Sequence, residues 1–459
     1  MKKIQLIIKV LVVALIVAIA FVGVYVQKQN RMENVVKDYS LGMDLTGTRV
    51  VELSVSDETK EITRDKNGKI VKDSDKKEDG DYTTEEKPVN SDDVKNADNY
   101  KKSKKILEKR LKKLGINNYT IRLDEETGKI VLEIPENDDT DHTVSNISEA
   151  GKFQIVDSED TEKVLMDNSD IKSSSVLYNT TTSGTVVYLN IEFNKQGKEK
   201  LKNISEEYKK IEESKDSESE NNESDENTTE EKQKEITMKI DDNEMITTSF
   251  DETIENGSIQ LSMGQASQDR KKLADNIKSS STVSTILDTG NMPVVYKTEA
   301  NEYIATDITN DMLIKLAIGA ATVIAIALVF LIIKFRKYGL LSTIEFLGFA
   351  ALYSLLLRYT NVVITLEGIA AIGVIIVTNY IFNYRILGKI KALKGEERNK
   401  AYNEEFVAFC VKAIPICLLS IVFCFISWEP ISSFGMTMFW GLILIALYNI
   451  TIAKNFLKQ

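Results

Sequence analysis

Apolar residues gather in six long runs at the two ends of the chain, and this distribution limits the possible folds more than any other feature. A helix needs roughly 20 mostly apolar residues to cross the hydrocarbon layer of a membrane. The six runs cover residues 4–26, 313–333, 340–357, 362–382, 406–426 and 434–452. The sequence therefore predicts six transmembrane helices, separated after the first by a polar segment that folds in water.

Lys and Arg residues predict the orientation of these helices, because they favour cytoplasmic loops close to the ends of spans. They lie on one side of the predicted membrane, at Lys2, Lys3, Lys334, Arg336, Lys337, Arg385, Lys389, Lys391, Lys394, Arg398, Lys400, Lys454 and Lys458. The loops on the other side, around Tyr359 and Glu429, contain a single Lys or Arg residue, Arg358. We therefore expect a multi-pass protein of the cell (plasma) membrane, with both termini cytoplasmic and the polar segment extracytoplasmic.

The first apolar run predicts an uncleaved anchor at residues 1–27. A cleaved signal sequence is the alternative, because Ala18-Ile19-Ala20 has the small-x-small form of a cleavage site. The run continues to Val26, which is long for a signal. The predicted division is then an extracytoplasmic domain at 28–311 and a five-helix transmembrane domain at 312–459.

The extracytoplasmic domain is predicted to contain two flexible inserts, near 56–96 and 214–234, because both are highly charged and lack apolar periodicity. The remaining residues show the split βαβ order, β-α-β-β-α-β, twice. The first copy has strands at 49–55, 119–123, 130–134 and 153–157 and helices at 97–114 and 144–150. The second has strands at 185–193, 236–240, 245–250 and 283–287, helices at 194–208 and 267–277, and an added strand at 259–263. These patterns predict an α+β domain of two ferredoxin-like lobes beside the membrane α-helical bundle.

Enzymes and nucleic-acid-binding proteins are disfavoured by the composition. The net charge of −11 lies mainly in the polar segment and argues against nucleic acid as a partner. No nucleophile elbow, phosphate loop or paired metal motif occurs, and the single histidine, His142, is predicted to be a solvated surface imidazole. The sequence thus predicts no catalytic, cofactor-binding or metal-binding residues.

The three cysteines all lie in the fifth predicted span, at Cys410, Cys417 and Cys424. Their seven-residue spacing places them on one helical face, which is typical of a small-residue stripe for close helix packing. A metal or redox site is the alternative, although the spacing fits no common metal-ligand pattern.

A short glycine-containing turn follows the first span, in the run SLGMDLTGTRVVELSV. Gly42 and Gly47 permit the turn, Asp44 is expected to accept hydrogen bonds from local backbone amides, and Leu45 completes the motif. This run resembles the segment that opens the outer domain in the SecD family. Further similarity to that family lies in ILEKRLKKLGINNYTIRLDEETGKIVLEIP, AGKFQIVD, TLEGIAAIG and EPISSFGMT.

The resemblance implies a fold, a function and a set of partners. The membrane part would be half of a resistance-nodulation-division type bundle, which the family completes by pairing with SecF. The function would be that of an accessory subunit of the Sec protein translocase, which holds emerging chains at the outer face and assists late export. The implied partners are SecF, the SecYEG channel with SecA, the unfolded secretory polypeptide and membrane lipid.

The fourth predicted span departs from the family pattern. Where the family has Val-Asp-Ala-Asn, this chain has Ile376-Val377-Thr378-Asn379. The resemblance assigns a proton relay to that Asp, and the aliphatic Val377 cannot titrate. Proton coupling through position 377 is therefore not expected.

Glu345 is the candidate for the missing carboxylate, because an ionisable residue inside a span is expensive and is a functional candidate by default. It lies about six residues, or roughly 9 Å at the helical rise, inside the cytoplasmic end of the third span. Our hypothesis is that Glu345 partly replaces the family Asp and faces Asn379 or a partner subunit. The alternative is a structural carboxylate paired with Thr or Asn.

The other charged residues in the spans have simpler interpretations. Lys9, Lys315 and Lys412 lie near span ends and can extend to the headgroups. Glu367, which replaces a family Pro, is expected to pair with Arg358 as an anchor at the outer interface.

Two other functions stay open from the sequence. A half-transporter of the resistance-nodulation-division type would use the same bundle to export lipid or small molecules. A non-motor membrane scaffold would not need the missing Asp.

Overall fold

The computed structural model describes residues 2–28, 31–66, 68–71, 81–137, 139–210, 233–241 and 243–457. Its helices, in chain order, are α1 (Lys2–Phe21), α2 (Met43–Thr46), α3 (Ala97–Lys113), α4 (Thr140–Ile147), α5 (Lys195–Glu207), α6 (Arg270–Thr289), α7 (Asn310–Phe335), α8 (Lys337–Tyr359), α9 (Leu366–Ile390), α10 (Gly395–Cys424), α11 (Glu429–Tyr448) and α12 (Lys454–Leu457). Its strands are β1 (Tyr25–Lys28), β2 (Arg31–Asn34), β3 (Ser40–Leu41), β4 (Thr48–Val55), β5 (Thr59–Asp65), β6 (Tyr82–Pro88), β7 (Thr120–Leu123), β8 (Ile130–Pro135), β9 (Phe153–Asp157), β10 (Val164–Asp167), β11 (Ile171–Thr181), β12 (Gly184–Phe193), β13 (Ile236–Ile240), β14 (Asn243–Thr248), β15 (Ser258–Ser262), β16 (Tyr296–Ile304) and β17 (Val363–Ile364). A 3₁₀ turn covers Asn168–Asp170, and a π-helical turn at Asn449–Ala453 follows α11.

Five helices, α7 to α11, are long and apolar enough to cross a membrane; we call them the bundle. Each overlaps one of the predicted runs. The run at 362–382 begins just before β17, and the runs at 406–426 and 434–452 extend beyond the ends of α10 and α11. The run at 4–26 forms a helix only as far as Phe21, because β1 and β2 pair as a hairpin directly after it. The described apolar part of α1 is shorter than a span, so the sixth span stays a prediction.

The centre of the bundle is formed by α8, α9 and α11. Their buried residues share one apolar core, with Phe349, Ile375 and Ile445 fully buried. Gly441 lets α11 approach α9, since a Cβ there would lie 2.4 Å from the side chain of Ile375. The apolar stretches of α7 and α10 are only 11% and 6% buried, so these helices lie at the outside.

The first sheet of the α+β part, by which we mean the described residues from β3 to β16, has the strand order β16-β4-β8-β7. All its pairs are antiparallel, and the inward side chains of β8, which are Ile130, Leu132 and Ile134, pack against α3 and α4. The sheet differs from the predicted first unit in one strand. The fourth strand is β16, whereas the predicted fourth strand, 153–157, forms β9 in another sheet.

The second predicted unit is divided between two sheets. One has the order β10-β9-β13-β14 and the other the order β11-β12-β15, and both contribute to a single core with α5. The predicted strand at 283–287 is wrong, because these residues belong to α6. Val283 and Leu287, one helical turn apart, both pack against that core, so helical spacing overrides their local β-propensity.

The two predicted inserts have different outcomes. Within 56–96, β5 and β6 pair along their whole length as an antiparallel ladder, so the prediction of a flexible loop was wrong for those residues. Arg64 of β5 also makes an ion pair with Glu162, with the two atoms 2.7 Å apart. Of the insert near 214–234, residues up to 232 lie outside the described part of the chain.

Arg110 of α3 is the largest fully buried side chain among the described residues. Its guanidinium donates hydrogen bonds to five acceptors, the carbonyl oxygens of Ile147, Glu149, Ala150 and Gly290 and the hydroxyl of Thr289. Burial lowers its pKa to about 10, which leaves it charged at pH 7. It therefore joins α3 to the C-terminal ends of α4 and α6.

Substitution Arg110→Met is expected to destabilise the α+β part by about 3 kcal/mol, because it leaves several buried carbonyl groups without a donor. Thermal or urea unfolding of the full chain in detergent measures the effect. Lys109→Met, at an exposed position of the same helix, is the matched control and should change stability little. Equal unfolding midpoints for the two variants would contradict the role assigned to Arg110.

Candidate functional site

Four polar side chains meet at the centre of the bundle, and we call them the bundle cluster. They are Glu345 of α8, Asn379 and Asn383 of α9, and Asn449 at the start of the π-helical turn. Each is at most 1% exposed. Because polar groups in such surroundings are expensive, a concentration of them marks a candidate site.

Hydrogen bonds connect the cluster to four helices. Asn449 Nδ2 donates to Asn379 Oδ1 at 3.1 Å. Tyr448 of α11 donates its hydroxyl to the backbone oxygen of Glu345, and Tyr402 of α10 donates to that of Asn449. The tyrosine hydroxyls thus tie α8 to α11 and α10 to the π-helical turn.

Many atoms of the cluster nevertheless lack a partner. Of 14 buried side-chain N and O atoms without a hydrogen bond in the described chain, seven are at this site. They are Glu345 Oε1 and Oε2, Asn379 Nδ2, Asn383 Nδ2 and Oδ1, Asn449 Oδ1, and Ser342 Oγ one turn before Glu345. Asn383 lies beside the Glu345 carboxylate, but the two side chains are not hydrogen-bonded. Buried polar atoms are rarely left unpaired, so the cluster has a capacity for binding.

Basic side chains of the bundle pair elsewhere. Arg385 and Lys389 both contact Glu405, at 2.7 and 2.5 Å. Lys315 pairs with Asp311. Within the described residues no Lys or Arg pairs with Glu345, so its carboxylate has no protein counter-charge.

Residues 376–379 of α9 correspond to the family's Val-Asp-Ala-Asn, and of these four only Asn379 belongs to the bundle cluster. Val377 is 55% exposed, Thr378 is half-buried, and Asn379 is fully buried. Position 377 therefore faces away from the buried centre of the bundle.

The sequence analysis missed Asn383 and Asn449. Asn379 and Asn383 are four residues apart, a spacing that places both on one helical face and offered a signal. Nothing local marked Asn449, because it joins the site through tertiary packing.

The expected pair of Glu367 and Arg358 was wrong. Glu367 is exposed in the first turn of α9 and makes no ion pair among the described residues. The Arg358 guanidinium lies 4.3 Å from the ring centroid of Tyr39 instead. The Arg side chain therefore gains a cation–π contact in place of the predicted ion pair.

The turn with the family motif lies at the junction between the α+β part and the bundle. Gly47 has φ +83°, which Gly adopts without strain, and Leu45 is buried. The sequence predicted that Asp44 bonds local backbone amides, and this prediction was wrong. The Oδ2 of Asp44 accepts a hydrogen bond of 2.7 Å from the backbone N–H of Leu366, the first residue of α9.

Backbone pairing reinforces this junction. Strand β3 pairs in parallel with β17, and the Gly42 N–H donates to the Ile364 oxygen at 2.8 Å. Ser433 of α11 donates to the oxygen of Val363 at 2.6 Å. The turn thus docks on β17 and the start of α9, and β17 is in turn bonded to α11.

The remaining candidate residues lie apart from the cluster. The three cysteines are half-buried free thiols along α10, and Cys417 packs against the core of α8, α9 and α11. His142 is half-buried, whereas the sequence predicted a solvated surface imidazole. Its Nδ1 lies 3.4 Å from the Thr282 hydroxyl. The described residues contain no group of three metal-ligating side chains.

Substitution Asp44→Ala is expected to loosen the first turn of α9, because it removes an acceptor and a negative charge from a helix N-terminus, at a cost of about 1 kcal/mol. Hydrogen exchange of the segment that contains Leu366 should accelerate. Asp57→Ala, at an exposed site of the α+β part, is the control. Unchanged exchange in Asp44→Ala would show that the junction does not depend on this carboxylate.

Comparison with known proteins gives one curated relative and several solved structures. No family model matches the chain. The SecD protein translocase subunit of Leptotrichia buccalis is 22% identical over 373 residues, which cover 79% of this chain and 83% of that protein.

Two of the solved structures are SecDF chains that are longer than this one. SecDF in its super-membrane-facing form has a TM-score of 0.48, with 16% identity over all of this chain and 57% of its own length. SecDF from Thermus thermophilus, described as a translocon-associated membrane protein, has a TM-score of 0.44, with 16% identity over all of this chain and 59% of its own. The chain therefore spans less than two thirds of either. The curated match agrees with the motifs, and the chain is similar to the SecD subunit over most of its length.

Proposed function

We propose that this protein is an accessory subunit of the Sec protein translocase that assists late export by holding emerging chains at the outer face. The observation that carries the proposal is the similarity to SecD over 79% of the chain. The family-type turn supports it, because this turn lies where the α+β part meets the bundle.

We further propose six spans, with α1 as the first, both termini cytoplasmic and residues 28–311 extracytoplasmic. The distribution of Lys and Arg supports this topology. So does the packing of α1 on α8, where Val13 lies against Gly348 at the depth of the bundle core. The bundle at 312–459 would pair with SecF in the membrane.

An unfolded polypeptide is the proposed substrate of the α+β part. Two of its sheets end in β7 and β14, each paired on one side only within the described residues. An edge of this kind can add an extended segment through backbone hydrogen bonds, whatever the sequence of that segment. This mode suits a holder of many different secreted chains, delivered by SecYEG with SecA.

We propose that Glu345 partly takes over the proton relay that the resemblance assigns to the missing Asp. It is fully buried beside Asn383, whereas Val377 is exposed and cannot ionise. A non-motor scaffold is the second candidate function, and the aliphatic side chain at position 377 is the observation that favours it.

Co-purification tests the translocase role. The tagged full chain, extracted from native membranes in mild detergent, is expected to recover SecF and the SecYEG channel. A secretory chain stalled during export should crosslink to the α+β part. Recovery of other transport components without SecF or the channel would contradict the proposal.

Substitution Glu345→Gln is expected to reduce secretion, because it keeps the shape of the side chain and removes the carboxyl group that can release and take up a proton. Pulse-chase measurement of an exported protein, in cells with a proton gradient, gives the rate. Glu367→Gln, exposed on α9, is the matched control and should export normally. Wild-type output from Glu345→Gln would favour the scaffold.

A further inference from the structure

The hairpin of β1 and β2 has no covering element in the described part of the chain. Its two strands pair only with each other, and its side chains belong to none of the apolar cores that the described residues form. Yet Tyr25, Val26, Met32 and the adjoining Val35 are each at least 48% exposed. An isolated two-stranded hairpin is only marginally stable in water, and a continuous exposed apolar patch marks an interaction surface. The hairpin therefore needs apolar surroundings that the described residues do not supply.

The apolar side chains of the hairpin lie on both of its faces. Side chains alternate between the two faces along a strand, and cross-strand partners share a face. The register places Tyr25 and Met32 on one face, and Val26 and Val35 on the other. A folded protein partner covers one face of a two-stranded ribbon, whereas lipid surrounds both. Lipid therefore matches this surface better than a protein does.

Contacts at the root of the hairpin place it at the end of the bundle. The helix α1 leads directly into β1, and Asn34 Oδ1 accepts hydrogen bonds from the backbone N–H groups of Val24 and Val36, both at 3.1 Å. Tyr359, the last residue of α8, donates its hydroxyl to the backbone oxygen of Val35 at 3.3 Å. Since α8 is long and apolar enough to cross a membrane, the hairpin lies beside the end of a span, where the lipid headgroups are.

The backbone and the charges of the hairpin favour the headgroup region over the hydrocarbon. Each strand pairs on one side only within the described residues, and open strand edges do not occur in hydrocarbon, because no water reaches them there. Tyr25 is a residue type enriched at membrane–water interfaces. Lys28 and Arg31 are cross-strand partners at the tip, and basic residues are attracted to anionic lipid headgroups.

We propose that the β1–β2 hairpin is embedded among the lipid headgroups on the side of the membrane where the α+β part lies, with Tyr25, Val26, Met32 and Val35 in contact with lipid. The hairpin precedes β3 and the family-type turn, so it holds the start of the α+β part at the membrane surface. The contact requires a bundle in a membrane and not a role in protein export. Failure of the translocase proposal and failure of this one are therefore separate results.

Photo-crosslinking tests the contact in native membranes. p-Benzoylphenylalanine replaces Met32 in the full chain, the membranes are irradiated, and the purified protein is digested for mass spectrometry. We expect a peptide with the added mass of a phospholipid, as from the same replacement of Ile326, an exposed residue of α7. Val26 should be labelled as Met32 is, because lipid surrounds both faces. Ile246, exposed on β14, is the matched control and should give no lipid adduct.

Nanodiscs of phosphatidylglycerol and phosphatidylethanolamine remove every other protein. The lipid adducts at positions 26 and 32 are expected to persist there, since the contact needs only this chain and a bilayer. Thermal unfolding midpoints equal to that of the wild type show that the photoreactive residue leaves the fold intact. The proposal is overturned if position 32 gives no lipid adduct where position 326 does, or if position 32 crosslinks to a polypeptide in place of lipid.

Discussion

The first backbone N–H groups of α9 have no partner within their own helix, and two side chains accept hydrogen bonds from them. Thr365 accepts a hydrogen bond from Gly368 N–H, and Asp44, over 300 residues earlier in the chain, accepts one from Leu366. A carboxylate at this position also interacts favourably with the helix dipole. Since the α+β part lies between α1 and α7 in sequence, this contact and the β3–β17 pairing set its position on the bundle.

The same helix contributes to the bundle cluster about four turns further on. Asn379 and Asn383 face α8 and the π-helical turn, while Val377 faces outward. The carboxylate of the bundle cluster therefore lies on α8 and not on α9.

Sequence patterns located the long elements well. The apolar runs correspond to α7 to α11, since a helix in hydrocarbon must be apolar over its length and this requirement is visible residue by residue. The helices α3 and α5 and the strands β4, β8 and β13 also match their predicted positions, because their apolar periodicity is strong. The strand predicted at 283–287 was wrong, because a short run of mostly apolar and β-branched residues fits a strand and a buried helix face equally well.

Sequence alone determined that the chain has a helical bundle, a polar α+β part and one carboxylate deep in an apolar run, because burial preferences act on each residue separately. Tertiary structure alone decided which strand closes the first sheet, that Asp44 bonds Leu366 and not its own turn, and that Asn383 lies beside Glu345 while Asn449 bonds Asn379. These are contacts between residues far apart in the chain. They depend on the relative placement of whole elements, about which the local pattern of residues carries no information.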